Sequence, residues 1–180
     1  MANGILKFIQ RLTEASGLSA NETALYSKSD GNIYKKAYGQ DEILIPAGGV
    51  WKDWTPVWTA STTNPVIGDG TISGRYCIIG KLCTLTINLT IGATTTFGTG
   101  AYSFSLPLQV SSTTNFYTGN WIILDSGAAW FTGMCALSQG QTTLNLFYKD
   151  VGGTSGFSPT NPITWAANDQ LRVQIAYEIA

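Results

Sequence analysis

The sequence contains no histidine and few charged residues. Ten of its 180 residues are Lys or Arg and eleven are Asp or Glu, which gives a formal net charge of −1. Without histidine, a Ser–His–Asp or Cys–His arrangement is impossible, and the most common general base is missing. A net charge this close to zero provides no summed field that would attract nucleic acid or an anionic membrane surface. We therefore expect no nucleic-acid partner.

Long apolar runs and metal-ligand spacings are missing as well. Stretches such as Trp121–Leu124 are far too short to span a membrane, so no membrane insertion is expected. The N-terminus lacks the pattern of a signal peptide, which predicts folding and assembly in a cytoplasm. The three cysteines, Cys77, Cys83 and Cys135, are interpreted as free thiols that act as small hydrophobic side chains. The sequence predicts no metal and no cofactor.

Carboxylates give no sign of catalysis either. Asp69 lies between two glycines and Asp125 is followed by Ser126-Gly127, so turn geometry explains both carboxylates. A glycosidase would need two carboxylates in differently tuned environments, and no pair in the sequence indicates this. The sequence therefore predicts no catalytic residue and no enzyme. An enzyme that depolymerises capsule is the remaining alternative of this kind.

Charge divides the chain near residue 50. Residues 1–53 hold twelve of the twenty-one charged residues, and the other nine are spread over residues 54–180. The second part consists mainly of Thr, Ser, Asn, Gly, aliphatic and aromatic residues. This division predicts a charged arm followed by a neutral module, and it favours a protein that attaches by one end and presents the other.

The first part of the arm has the spacing of an amphipathic helix. Apolar residues of segment 2–16 recur at i, i+3, i+4 and i+7, which predicts a helix within residues 1–22. A helix of about fifteen residues is marginal alone in water, so its apolar face needs a surface. We interpret the helix as an anchor or oligomerisation element rather than one that folds back on its own domain. The residues that would make this contact are Ile5, Phe8, Ile9 and Leu12.

Residues 23–50 predict a β-hairpin arm and a linker. Asp30-Gly31 lies between two short runs that contain tyrosine, and both turn residues tolerate a positive φ. Residues 46–49, Pro-Ala-Gly-Gly, are typical of a linker.

Residues 51–180 alternate between apolar and polar side chains. The pattern is clearest from Cys83 to Ile91, where Thr and Asn take the polar positions, and from Leu171 to Ile179. Several more short strands are separated by glycine-rich turns, and no helical periodicity follows residue 50. The predicted fold is all-β: an antiparallel β-sandwich or jelly-roll module, residues 51–180, preceded by the short N-terminal helix and the β-hairpin arm.

Aromatic residues near predicted loops are the remaining candidates for a binding site. Aromatic rings stack on sugar rings, and the surrounding Asn and Thr side chains satisfy sugar hydroxyls. The residues with a possible glycan contact are Phe116, Tyr117, Trp130 and Phe157. The alternative is that they are ordinary core or subunit-interface aromatics.

Two parts of the sequence resemble β modules in virion proteins of tailed bacteriophages. One part comprises residues 54–59 and 64–76 and continues through 94–100 and 102–107. The other is residues 25–36, which are similar to the Leu-Tyr…Asp-Gly…Tyr…Lys hairpin that precedes many phage fibre knobs. The resemblance extends over residues 24–110.

The resemblance implies a non-enzymatic virion protein that is assembled in the host cytoplasm. It also implies a homotrimer whose residues 1–50 bind other virion proteins, and a short tail fibre that contacts the host surface. Host surface polysaccharide is a candidate partner on the basis of the loop aromatics. Because no long shaft separates the arm from the module, a capsid cement or decoration protein on the head is the alternative. A carbohydrate-binding lectin module is a further alternative.

Overall fold

The computed structural model of the chain describes residues 8–10, 17–30, 32–45, 49–113, 116–150 and 153–180. Every regular element in these ranges is a β-strand, and nearly all strand pairs are antiparallel. The chain forms two compact units, residues 1–49 and residues 50–180. The predicted all-β, antiparallel architecture is therefore confirmed.

The first unit is a four-stranded sheet whose strands lie side by side in chain order. Its strands are β1 (Phe8–Gln10), β2 (Thr23–Ser27), β3 (Ile33–Ala37) and β4 (Ile43–Ile45). Strands β2 and β3 form the predicted hairpin, with Tyr26 opposite Tyr34. Asp30 stabilises the turn, because its carboxylate accepts hydrogen bonds from the Asn32 amide at 3.0 Å and the Tyr34 hydroxyl at 2.6 Å.

The segment predicted as an N-terminal helix contains a strand instead. Phe8–Gln10 pairs in parallel with Leu25–Ser27, so the helix prediction is wrong for these three residues. The physical reason is that a strand gains hydrogen bonds from an existing sheet edge, whereas a helix of this length is marginal without a partner. Ile5 and Leu12 lie outside the described residues, and their anchoring role stays a prediction.

The second unit is one continuous antiparallel sheet with β5 and β6 at its two edges. Its path of hydrogen-bonded neighbours is β5-β7-β8-β14-β10-β11-β12-β9-β6, with β13 also paired to β12. Its strands are β5 (Lys52–Trp54), β6 (Trp58–Ala60), β7 (Thr71–Ile79), β8 (Leu82–Thr90), β9 (Tyr102–Ser105), β10 (Phe116–Asp125), β11 (Ala129–Ser138), β12 (Thr143–Asp150), β13 (Gly153–Gly156) and β14 (Gln170–Glu178).

The edge strands of this sheet are neighbours in sequence. Residues 55–57 are all that separates Trp54 in β5 from Trp58 in β6, and a connection of this length spans at most about 14 Å. The sheet must therefore curl until its two edges approach each other. The core lies inside the curl and is formed by side chains from both halves of the sheet. The predicted two-layered module is thus a single curled sheet.

Trp121 occupies the middle of this core and is almost fully buried. Its indole Nε1 donates to the carbonyls of Met134 at 2.9 Å and Phe147 at 3.0 Å. Phe157 packs edge-on against it, with 4.6 Å between ring centroids. The indole ring also covers Gly133 on the neighbouring strand. These contacts fix the ring of Trp121 on every side.

Candidate functional site

The second unit presents a polar surface on the strands that run through the middle of its sheet. In β8 the apolar residues of the alternating sequence are buried, which turns Thr84, Thr86, Asn88 and Thr90 away from the core. The same alternation buries Leu171, Val173 and Ile175 of β14 and leaves Arg172 and Gln174 exposed. Sequence alternation alone therefore produces a solvent-facing surface of hydroxyl and amide groups.

Strand register arranges this surface in two adjacent rows. We call it the outer face and define it by ten residues that pair across β7, β8, β14, β10 and β11. One row is Ser73, Asn88, Arg172, Ile122 and Thr132, and the other is Arg75, Thr86, Gln174, Asn120 and Met134.

Two shallow depressions lie side by side on the outer face. The larger, of about 620 Å³, is lined by residues that include Asn88, Asn120, Arg172 and Gln174. The smaller, of about 360 Å³, is lined by residues of β5, β7 and β8, among them Trp54 and again Asn88. Because they share Asn88, the two depressions adjoin, and together they follow the sheet across its strands.

Arg172 is the central charge of the larger depression. Its guanidinium donates to Gln170 Oε1 at 3.2 Å, and no ion pair to it occurs within the described ranges. Arg75 differs, because its Nε donates to the Asp53 carboxylate at 2.8 Å and its guanidinium lies 5.7 Å from the ring centroid of Trp51. Both arginines thus lie on the outer face. Arg75 is paired with the carboxylate of Asp53, whereas Arg172 contacts the amide of Gln170.

The aromatics predicted to contact glycan do not form one patch. Phe116 is 67% exposed and Trp130 is 60% exposed, but they lie at opposite ends of the β10–β11 pair. Phe116 and Leu124, the partner of Trp130, are separated by about 26 Å along β10. Tyr117 packs partly against the core, and its hydroxyl is buried. Of these four aromatics, Trp130 is the one adjacent to the outer face. It lies two residues before Thr132 in β11, on the same side of the strand.

The prediction for Phe157 is wrong. Its side chain is completely buried between Trp121 and Trp165, so it offers no ring to a ligand. The segment looks like a loop in sequence, but the Phe157 carbonyl accepts a hydrogen bond from the Tyr102 amide at 2.7 Å. This backbone pairing draws residue 157 into the core.

The first unit exposes aliphatic side chains instead of burying them. Ile33 is 50% exposed and Ile43 is 61% exposed, and Leu44 and Ile45 complete an exposed group on β3 and β4. Tyr26 is the one buried apolar residue in the described part of this unit. A sheet with this little buried apolar surface gains little stability of its own. Ile33 pairs with Ile45, and Ile43 lies two residues along β4, so these three share one face and form an apolar surface of the kind that marks an interaction site. Leu44 lies on the other face, where it pairs with Tyr34.

A polar cluster on β2 and the β3–β4 connection strengthens the first unit. Lys28 and the hydroxyl of Tyr26 both donate to the carboxylate of Glu42. The hydrogen bonds from Lys28 and Tyr26 lower the pKa of Glu42, and the one to Glu42 raises the pKa of Lys28. Lys28 also lies 4.3 Å from the ring centroid of Tyr34.

Two acidic groups and one thiol of the second unit, those of Asp69, Asp169 and Cys135, have structural roles. Asp69 accepts two hydrogen bonds from Thr94, both at 2.8 Å, and these lower its pKa. Asp169 is fully buried and accepts the amides of Ser126 at 2.8 Å and Ala166 at 2.7 Å, so it ties two loops together. Burial raises the pKa of the Cys135 thiol to about 12.

Within the described ranges, no group of three His, Cys, Asp or Glu side chains is placed to hold a metal ion, and no helix is long and apolar enough to cross a membrane. The outer face carries both depressions described for the second unit. Alternation predicted two of its strands, β8 and β14, but the meeting of Arg172, Asn88 and Asn120 was not predicted. The register that unites three strands is not visible in any one segment of the sequence.

Comparison with known proteins gives one informative similarity. Over 123 residues, or 68% of its length, the chain is 29% identical to the Mu-like prophage FluMu defective tail fiber protein of Haemophilus influenzae. The aligned part is 19% of that protein, so the chain spans about a fifth of the relative it matches. The chain matches no protein family and no solved structure.

Proposed function

We propose that this chain is a structural component of a bacteriophage tail. The observation that carries the proposal is the similarity over 123 residues to a prophage tail fiber protein. The neutral, all-β second unit is consistent with such a role. The buried carboxylate of Asp169 and the thiol of Cys135 are engaged inside the fold. The proposed role is therefore non-enzymatic.

The protein is further proposed to be a homotrimer whose residues 1–50 bind other virion proteins. The support comes from the first unit, where Ile33, Ile43, Leu44 and Ile45 are exposed. Because these side chains are about half exposed, covering each one stabilises an assembly by roughly half of the 1.5–3 kcal/mol that full burial of an exposed aliphatic side chain provides. Copies of the chain, or a neighbouring virion protein, would supply that cover.

Within the tail, the proposed role is that of a short fibre that contacts the host surface. The second unit would carry this contact, because its outer face combines two adjoining depressions with hydroxyl and amide groups. The protein would accordingly occur in the virion.

Imaging of purified particles with threefold averaging tests the location. A few trimers at the tail would support the fibre role, and loss of the protein should then block adsorption. Hundreds of copies on the head would refute it and make the protein a capsid cement, whose loss weakens the shell to heat or osmotic shock. Absence from particles would refute both roles.

Deletion of residues 1–22 tests the anchoring role. The truncated protein should fail to enter particles, while circular dichroism shows the second unit still folded. A matched control replaces Ile79 by serine, since this exposed aliphatic residue belongs to the second unit. If the truncated protein still enters particles, residues 1–22 are not the anchor.

A further inference from the structure

We infer that the outer face binds an acidic glycan, a polysaccharide whose sugars carry a carboxylate, and that Arg172 contacts this carboxylate. The inference rests on the proposed contact with the host surface and names the ligand class for it. Three features of the outer face lead to it: a cation without a carboxylate partner, a surrounding set of amides and hydroxyls, and exposed apolar groups beside them.

In the described part of the chain, Arg172 makes no ion pair. Asp169 is three residues away, about 10 Å along the chain, but it is buried and already accepts the amides of Ser126 and Ala166. Asp125 is three residues beyond Ile122 in β10, which places it on the opposite side of the sheet from Ile122.

The neighbours of Arg172 along β14 on the same side are Gln170 and Gln174, and across the strands it pairs with Asn88 and Ile122. The carboxylate of Asp53 is three strands away, about 14 Å by strand spacing, and is already paired with Arg75. Glu178 is six residues along β14, about 20 Å distant.

The donors of Arg172 suit a carboxylate. A guanidinium has five N–H donors in a planar fork that matches a carboxylate in two parallel hydrogen bonds. One contact, to Gln170 Oε1 at 3.2 Å, uses part of this capacity. Because Arg172 is exposed, its side chain is accessible to a ligand that lies on the sheet.

Polar neighbours of Arg172 suit sugar hydroxyls, which both donate and accept hydrogen bonds. Asn88, Asn120 and Gln174 carry amides, and each amide also donates and accepts. Thr86 and Thr132 add hydroxyls to the same depression. The set is neutral apart from Arg172, so it favours a polyhydroxylated ligand with a few negative charges over a densely charged one.

Apolar groups complete the surface. Ile122 lies next to Arg172 in the same row, and Met134 lies in the adjacent row. Trp130 is exposed two strands from Arg172, roughly 12 Å away between Cα positions, a distance that an oligosaccharide of a few sugars spans. The smaller depression adjoins the larger one and extends the surface in the opposite direction, towards Trp54. An extended polysaccharide fits this layout better than a single sugar.

Calorimetric titration of the full chain with oligomers of carboxylate-bearing sugars tests the inference. The probes are oligogalacturonate, oligoglucuronate and oligosialic acid, together with the methyl ester of oligogalacturonate, which keeps the sugar and removes the charge. At least one acidic oligomer should bind. Arg172→Gln should weaken that binding about 10- to 100-fold, the range expected for a lost charge-assisted pair. Arg172→Lys should retain part of the affinity, because lysine keeps the positive charge but lacks the planar, paired N–H donors of the guanidinium.

Lys81→Gln is the matched control, since it removes the same charge from the exposed turn between β7 and β8. Its affinity should stay within about twofold of that of the unchanged protein, because surface charges more than two Debye lengths away are screened. Circular dichroism and the unfolding midpoint establish that each variant is folded. If Arg172→Gln does not fold, the methyl ester decides the question, since it removes the same charge pair from the ligand side.

Several results would overturn the inference. These are binding of no acidic oligomer, equal binding of the methyl ester, unchanged affinity of Arg172→Gln, or binding of poly(glycerol phosphate) alone. Protection of the outer face from hydrogen exchange by a second copy of the chain would also overturn it. A protein found at the tail that binds none of these oligomers refutes the glycan ligand and keeps the proposed tail role. A protein that binds them but is absent from particles refutes the tail role instead.

Discussion

Replacing Gly133 by alanine should destabilise the second unit although it adds a single methyl group. A Cβ atom at this position would lie 2.2 Å from Cζ2 of Trp121 and 2.9 Å from the carbonyl oxygen of Phe147. The indole ring cannot retreat freely, because its Nε1 donates to two carbonyls and Phe157 packs against it. Either the ring or strand β12 must therefore move.

The size of the effect follows from these contacts. Forcing an extra methyl group into a packed core typically costs about 1–3 kcal/mol. If the indole shifts far enough to lose a hydrogen bond in a buried site, about 1 kcal/mol is added. We therefore expect Gly133→Ala to lower the free energy of unfolding by about 2–4 kcal/mol. Urea unfolding followed by tryptophan fluorescence, at one fixed protein concentration, measures the change.

The matched control is Gly156→Ala, an identical substitution in the same sheet. A Cβ atom there would meet Ala101 at 3.7 Å, which is ordinary van der Waals contact, so the free energy of unfolding should change by no more than about 0.5 kcal/mol. Combining Gly133→Ala with Trp121→Phe should cost less than the sum of the two single changes, because the smaller ring makes room for the methyl group. Equal stability of Gly133→Ala and the unchanged protein would refute the reasoning, as would strict additivity.

Three further predictions concern other parts of the chain. Asp169→Ala should lower the free energy of unfolding by about 2–4 kcal/mol in urea titrations, since two amides lose their buried acceptor, and Asp169→Asn should cost less; equal effects would contradict this. In the native protein an alkylating reagent should modify Cys77 first, because Cys83 and Cys135 are buried and the pKa of Cys135 is about 12; early labelling of Cys135 would show the core to be open. The pKa of Glu42 is lowered from 4.5, so its contribution to the first unit is present above that value and is lost as the pH falls through the lowered pKa. As the pH falls below 4.5, the β2 and β3 amides of Glu42→Gln should therefore lose less of their protection from hydrogen exchange than those of the unchanged protein. An equal loss of protection in the two proteins would refute the role of Glu42.

Local patterns in the sequence were sufficient for the strands with regular alternation. The β8 and β14 strands and the Asp30-Gly31 hairpin could be predicted because their side-chain period and turn chemistry are local properties. The strand at Phe8–Gln10 could not, because its stability comes from pairing with β2, and the apolar spacing of that segment also fits a helix.

The candidate site could be predicted only in part. Trp130 was predicted as an aromatic near a loop and is exposed, and its contact with glycan stays a prediction, but Phe157 is buried because a backbone pairing with Tyr102 directs it inward. Arg172 and Asn88 are far apart in sequence and become neighbours through the register of β14 on β8. Such a register depends on packing of the whole sheet, which no single segment encodes.

The short link between the two edge strands determines how the second unit would respond to a pulling force. Tension applied through the chain at residue 50 reaches β5 first, which pairs with β7 along Gly74–Tyr76 and also contacts it through the Asp53–Arg75 ion pair. Once β5 detaches, residues 55–57 pass the load directly to β6, which pairs with β9 over three residues and is followed by further backbone hydrogen bonds as far as Val66 and Thr96. The long β7–β8 and β8–β14 ladders bear load only after both edges have peeled away. Under tension, β5 and β6 would thus detach first and lengthen the chain, while the strands that bear the outer face keep their pairing with one another.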